Sequence, residues 1–183
     1  MRRIINSTYI TVDGVIQNPQ DWPSSGDDGG EGQKIQNDLL FSCDAVLMGK
    51  HTYESFASVW QSRSGDPLTD RMNAMSKYVV SSTLGTATWN NTTVIRGDPV
   101  AEIRRLKEQP GGDIVVYGVG RMTHALIANG LLDELRLWFH PFMLGRGGVQ
   151  DLLFKEGVAA RLELADTTTL KNGIVILNYR ILQ

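Results

Sequence analysis

The chain is short of the residues that build most metal and redox centres. Only one of its 183 residues is cysteine, Cys43, and three are histidine. One thiol excludes an internal disulfide and any zinc site made from several cysteines of one chain. His51-x-x-Glu54 lacks the second histidine of a His-Glu-x-x-His helix, so it carries no metal reading. No spacing of serine, histidine and aspartate offers a nucleophilic triad. An excess of positive charge is also missing. Lys and Arg number 18 against 20 Asp and Glu, a net charge of −2, which gives no basic face for nucleic acid. No apolar run approaches the roughly 20 residues that span a membrane. Met1-Arg2-Arg3 passes straight into a strand pattern with no apolar leader, so the protein reads as cytoplasmic. The sequons Asn6-Ser7-Thr8 and Asn90-Asn91-Thr92 then carry no glycosylation meaning. Repeats and low-complexity tracts are absent.

What is present suits one well-buried domain over residues 1–183, with 42% apolar residues. Residues 4–16 are strand-rich. Residues 18–32 collect Gly, Asp, Ser and Pro around Trp22 and read as a long loop of functional length. Ile35, Leu39, Leu40 and Cys43 recur at helical spacing, which predicts a helix over residues 31–42. A short buried strand at residues 45–48 precedes a helix marked by Tyr53, Phe56 and Trp60. Residues 62–70 read as a polar loop, with a short helix at Met72 and Met75. Strands follow at residues 78–80 and 92–95. Asp98-Pro99 opens a helix striped by Val100, Ile103 and Leu106. Residues 114–117 form a continuous apolar strand, and Gly118-Val119-Gly120 leads into a helix over residues 121–129 closed by Gly130. Leu135, Leu137 and Phe139 have a strand period, and Asn172-Gly173 signals a terminal hairpin. Strand and helix alternate, so the fold class is α/β with a mostly parallel sheet and right-handed crossovers.

The stretch Met48-Gly49-Lys50-His51-Thr52-Tyr53-Glu54 is the most informative. An apolar strand stops at a glycine, a cation follows, and a helix begins. Helix N-termini attract anions through unpaired N–H groups and the positive end of the dipole. A lysine there opposes the dipole unless an anion joins it, so Lys50 marks the seat of a phosphorylated ligand.

Three further motifs stand in order with it: Thr11-Val12-Asp13-Gly14, Val79-Val80-Ser81-Ser82-Thr83 and Val116-Tyr117-Gly118-Val119-Gly120. A fifth run, residues 141–148, ends in Gly145-Arg146-Gly147-Gly148. Together they resemble the dihydrofolate-reductase-like superfamily, in particular the reductase domain of bacterial riboflavin biosynthesis and its stand-alone relatives. The resemblance spans nearly the whole chain. It implies a three-layer α/β/α fold with a C-terminal antiparallel hairpin. It also implies a homodimeric reductase that binds NADPH and passes hydride to a small heterocycle, either like 5-amino-6-(5-phosphoribosylamino)uracil or like a pterin.

Carried over residue by residue, the resemblance places the adenosine 2′-phosphate near Lys50, with Gly49, His51 and Thr52 beside it. Ser81 and Ser82 flank the adenosine side. Gly118, Val119, Gly120, Arg121 and Met122 face the pyrophosphate, and Thr11, Asp13 and Gly14 lie where the chain enters the loop over the nicotinamide. Tyr9, Trp22, Tyr53 and Phe56 are the substrate-pocket candidates. Two positions depart from the folate enzymes. Val119 separates glycines that are consecutive there, and the carboxylate of the first helix falls near Gln33. The proton donor is then either a bound water or a side chain such as Asp38, the next carboxylate along, and the chain does not read as a standard dihydrofolate reductase. No Pro-Cys-x-x-Cys deaminase motif occurs. The rival reading is a non-catalytic nucleotide-binding protein that keeps the fold.

Overall fold

A computed structural model describes residues 1–153 and 155–182. Eight strands form one sheet in the order β4-β3-β2-β5-β1-β6-β8-β7. They are β1 (Ile4–Thr11), β2 (Cys43–Gly49), β3 (Ser76–Val80), β4 (Thr92–Ile95), β5 (Asp113–Tyr117), β6 (Glu134–His140), β7 (Arg161–Thr169) and β8 (Val175–Leu182). The first six pair in parallel; β8 runs antiparallel to β6, and β7 antiparallel to β8. The helices are α1 (Glu31–Ser42), α2 (Lys50–Trp60), α3 (Pro67–Ala74), α4 (Pro99–Glu108) and α5 (Arg121–Ala128).

β2 and β5 are apolar through their middles, at residues 45–48 and 114–116, because helices cover both faces. On one face Leu39 and Leu40 of α1, Tyr53 and Ala57 of α2 and Met72 of α3 pack on Ile5, Val46, Met48, Val79 and Val115. On the other, Ile103 and Leu106 of α4 and Leu126 of α5 pack on Ile4, Ala45, Leu47, Ile114 and Val116. This is the expected α/β/α layering. From the end of β1 across β6 the second face is covered differently. Ile16, Val119 and Leu153 come from loops to meet Ile10, Leu135 and Leu137, with Tyr179 and Ile181 at the margin. At the sheet edge β7 leaves Leu162 and Leu164 exposed, and its ladder shifts register at a bulge between Leu164 and Asp166.

Several boundaries differ from the sequence reading. The polar loop ends early, because Pro67 starts α3 and the Asp66 side chain accepts from Thr69 N at 3.0 Å. Cys43 opens β2 instead of closing α1, and is buried as expected. In the hairpin, Gly173 N donates to Leu170 O at 3.0 Å, and of the Asn172–Gly173 pair only Gly173 has positive φ (86°). The turn therefore uses one left-handed residue, not two.

A fully buried lysine, Lys77, is the second residue of β3. Its ammonium donates to the carbonyls of Asn73, Met75 and Asn90 at 2.9, 2.8 and 3.2 Å and lies 4.6 Å from the Trp89 ring centroid. Burial pushes its pKa down from 10.5 to about 8. Between those two values the unfolded chain binds the extra proton, so raising pH favours the folded state. Urea unfolding of the wild type and Lys77→Met should show the wild type gaining stability relative to the variant from pH 8 to pH 10. A pH-independent difference would refute the depressed titration.

Candidate functional site

Because β1, β2, β3 and β5 are parallel, their C-terminal ends share one edge of the sheet. Ligand crevices in open parallel sheets form outside such ends. A cleft of about 1090 Å³ follows this edge, reached by residues 49–52 after β2, 80–83 after β3, and 117–123 after β5.

Two helices turn their N-termini toward it. The cap of α2 is Gly49 and that of α5 is Gly120, and neither helix has a side-chain cap. By contrast α3 and α4 spend their first N–H groups on Asp66 and Asp98. The cleft thus receives two sets of unclaimed amides, each at the positive end of a helix. Lys50 adds its ammonium, 3.4 Å from Thr83 Oγ1 and 3.8 Å from Glu54 Oε1. The Ser81 hydroxyl accepts from the N–H groups of Thr83 and Leu84 and so shapes this turn, while Ser82 is exposed. The arrangement suits a ligand with anionic groups.

The turn after β5 is held from below. The buried Asn6 amide donates to Val116 O at 3.3 Å and Gly118 O at 2.6 Å, and Thr8 Oγ1 donates to Asn6 Oδ1 at 2.8 Å. Gly118 has φ of 74°, and a Cβ added there meets nothing within 4 Å, so the position needs glycine for its backbone and leaves space on its open side. Val119 is 5% exposed and anchors the loop among Ile10, Ile16, Leu135 and Leu137. That anchoring explains the valine between the two glycines.

At the β1 end the cleft wall is polar but not acidic. Ser7, Tyr9, Gln33, Gln36 and Asn37 line it, and no Asp or Glu does among the described residues. Phe56 packs on Tyr117 with centroids 5.6 Å apart. Burial raises the phenol pKa of both Tyr9 and Tyr117.

The cleft gathers Gly49, Lys50, His51, Thr52, Ser81, Ser82, Gly118, Val119, Gly120, Arg121 and Met122, together with Tyr9 and Phe56. The other candidates lie elsewhere. Asp38 is exposed, with Lys34 Nζ 2.6 Å from its carboxylate. It sits two residues, about 200° of helix rotation, past the cleft-facing Gln36. Tyr53 is core, 3% exposed, and its hydroxyl accepts from Trp89 N at 3.0 Å. Trp22 packs on His140 and Phe142, with centroids 5.4 and 5.9 Å away, and its Nε1 donates to Gln17 O. Thr11, Asp13 and Gly14 form a brace. The Thr11 hydroxyl donates to Asp13, whose carboxylate accepts from Leu144 N at 3.2 Å and Gly145 N at 2.8 Å. Sequence reasoning missed Gln36 and Thr83. Thr83 ends the motif at residues 79–83; Gln36 gave no signal, since glutamine on a helix is ordinary.

Residues 2–176 match the RibD C-terminal domain family. The chain is 30% identical to the uncharacterized protein YyaP of Bacillus subtilis, over 97% of this chain and 94% of that one. A putative riboflavin biosynthesis protein from Shewanella sp. PV-4 superposes over the whole of both chains with a TM-score of 0.69 at 18% identity. A pyrimidine reductase-like protein from Corynebacterium diphtheriae does so with a TM-score of 0.68 at 12% identity, over all of this chain and 92% of the other. A Thermotoga maritima diaminohydroxyphosphoribosylaminopyrimidine deaminase/5-amino-6-(5-phosphoribosylamino)uracil reductase matches with a TM-score of 0.67 at 14% identity, over 99% of this chain and 57% of that one. The chain belongs to the RibD C-terminal domain family.

The Asp13 brace has a measurable consequence. Its hydrogen bonds, first that from Thr11 and then the loop N–H groups, hold the carboxyl pKa below the usual aspartate value. The brace is therefore complete above that value and is lost as pH falls through the folded-state pKa. In Asp13→Ala, the protection of the Leu144 and Gly145 amides against hydrogen exchange should fall at neutral pH, and it should no longer change as pH is lowered through the Asp13 titration. Unchanged exchange at both amides would show the brace to be idle.

Proposed function

We propose that this RibD C-terminal domain protein is a single-domain, NADPH-dependent reductase. Its substrate is a small heterocycle of the 5-amino-6-(5-phosphoribosylamino)uracil or pterin type. The observation that carries the reading is the pair of glycine-capped helix N-termini flanking one cleft, with Lys50 beside them. The residues present fit a dinucleotide phosphate. Gly49, Lys50, His51, Thr52, Ser81, Ser82 and Thr83 would hold the adenosine and its 2′-phosphate. Gly118 to Met122 would hold the pyrophosphate at the start of α5. From β3 to β1 the cleft edge crosses three inter-strand steps, roughly 14 Å at the usual strand spacing. An extended dinucleotide covers that distance, so its nicotinamide end falls at the β1 wall.

When bound, the cofactor supplies hydride. The chain's own part is to orient the acceptor carbon against it, exclude water and deliver a proton. Ile16, Phe56 and Tyr117 supply apolar cover, and Ser7, Tyr9, Gln36 and Asn37 supply polar contacts. The missing carboxylate favours a substrate recognised through neutral donors and acceptors. That same observation supports the rival, a nucleotide-binding protein without chemistry. Substrate-dependent loss of NADPH absorbance decides between them. Such a reductase works in the cytoplasm, where reduced pyridine nucleotide is supplied.

We also propose a homodimer, formed through the open face of the β7–β8 hairpin. Leu162 and Leu164, 42% and 52% exposed, extend the apolar strip of Tyr179 and Ile181. Contiguous exposed apolar surface of this kind marks an interface.

Two outcomes test these readings. Lys50→Ala should weaken NADPH binding by about 1.5–3 kcal/mol, on the order of tenfold to a hundredfold, and leave NADH binding almost unchanged. Equal losses in isothermal titration would remove Lys50 from the 2′-phosphate. Leu164→Glu should convert a dimer to a monomer in sedimentation velocity at micromolar concentration. A wild type that already sediments as a monomer, or a variant that stays dimeric, would rule out this interface.

A further inference from the structure

A chain of hydrogen bonds at the β1 end has a direction that its first member dictates. Trp138 Nε1 lies 3.0 Å from Ser7 Oγ. An indole nitrogen only donates, so Ser7 Oγ accepts there. The Ser7 hydrogen is then free for Gln36 Oε1, 3.4 Å away. That bond orients the carboxamide and turns its NH2 toward the Tyr9 hydroxyl, also at 3.4 Å. Tyr9 oxygen thus accepts from Gln36, and among the described residues no side chain or carbonyl accepts the Tyr9 hydrogen. The ring cannot swing to find one. Trp138 and His140 pack edge-on against it, with centroids 5.6 and 5.0 Å away. Tyr9 lines the cleft, and three of these four residues are rooted on neighbouring strands β1 and β6.

We propose that the Trp138–Ser7–Gln36–Tyr9 chain points the Tyr9 O–H into the cleft as the hydrogen-bond and proton donor to the substrate. The inference rests on the reductase reading and narrows it to acceptors with a C=N or C=O bond. As the acceptor carbon gains hydride from the reduced nicotinamide, the electron pair of the double bond moves onto its heteroatom. The heteroatom takes the Tyr9 proton, and the phenolate recovers one from water at the cleft mouth. Overall the substrate gains two electrons and two protons while the dinucleotide is oxidised. A nascent alkoxide or amide anion is far more basic than a phenolate, so a buried phenol suffices where no carboxylic acid is present. Burial, together with the nearby Asp28 charge, keeps Tyr9 protonated at neutral pH. Tyr9 is the catalytic residue here; Gln36, Ser7 and Trp138 position it.

Alkaline titration of phenolate absorbance isolates Tyr9 as the difference between wild type and Tyr9→Phe. It is run by rapid pH jump with NADPH or NADP⁺ bound. An oxidised, positively charged nicotinamide beside Tyr9 should favour its ionisation by roughly tenfold over the neutral reduced ring. Tyr9→Phe should keep its NADPH affinity yet reduce 5-amino-6-(5-phosphoribosylamino)uracil at least a hundredfold more slowly. Gln36→Glu presents only acceptor oxygens to Tyr9, so it should draw the hydroxyl hydrogen away and slow turnover although the phenol remains. Gln36→Asn, which keeps a carboxamide, should recover part of the rate. Equal Tyr9 titration with both dinucleotides, or full turnover in Tyr9→Phe, would overturn the proposal while leaving the reductase standing. Failure of either dinucleotide to bind the wild type would overturn both.

Discussion

One buried side-chain amide sets the geometry on which the cleft depends. Asn6 is fully enclosed on β1, yet both its hydrogens are used on carbonyls of the adjoining strand and the turn beyond it. A buried amide without partners costs free energy, so these bonds do not exchange for looser ones. They fix where β5 stops and make the chain turn at Gly118 in a left-handed conformation that only glycine adopts easily. Val119 then drops into the apolar layer, and α5 starts with its amides facing outward. Thr8 holds the far side of the Asn6 amide, so the joint has no free valence.

The two ends of the cleft follow from different physics. The end near β2 and β3 is built by omission: glycines stand where α3 and α4 have aspartates, and the absence of a cap keeps backbone donors available. The end near β1 is built by consumption. Trp138, Ser7 and Gln36 satisfy one another in sequence, and among the described residues the chain of bonds ends on the Tyr9 hydroxyl. Electrostatics runs the same way. Fixed positive dipoles and Lys50 gather at the first end, whereas only neutral polar groups line the second. A ligand carrying charge at one end and an uncharged ring at the other matches that division.

Much of the fold was legible because its signals are local. The α1 stripe of Ile35, Leu39 and Leu40, the Asp98–Pro99 cap and the apolar run of β5 each declare themselves within a few residues. The glycine-bounded turns at the β2 and β3 end of the cleft were legible for the same reason. The β1 end was not. Its partners lie 29 and 131 positions apart in the chain, and a glutamine on a helix carries no pattern of its own. Asp38 drew attention by its charge, but helix phase turns it to solvent beside Lys34. Tyr53 sits in a motif with Lys50, yet its hydroxyl serves the Trp89 backbone in the core. Asp13 and Trp22 fell in the right loops; the contacts show them tying those loops together, a role that spacing alone does not reveal.

The bulge in β7 bears on how far the molecule can assemble. An edge strand offers a row of unused backbone donors and acceptors to any extended chain that meets it. The slip between Leu164 and Asp166 breaks the even spacing of that row halfway along, and charged Arg161, Glu163 and Asp166 flank the break. An incoming strand finds matching rungs for only a few residues before falling out of step. The sheet can therefore meet a neighbour through its side chains, face to face, without inviting the endless edgewise stacking that ends in fibrils.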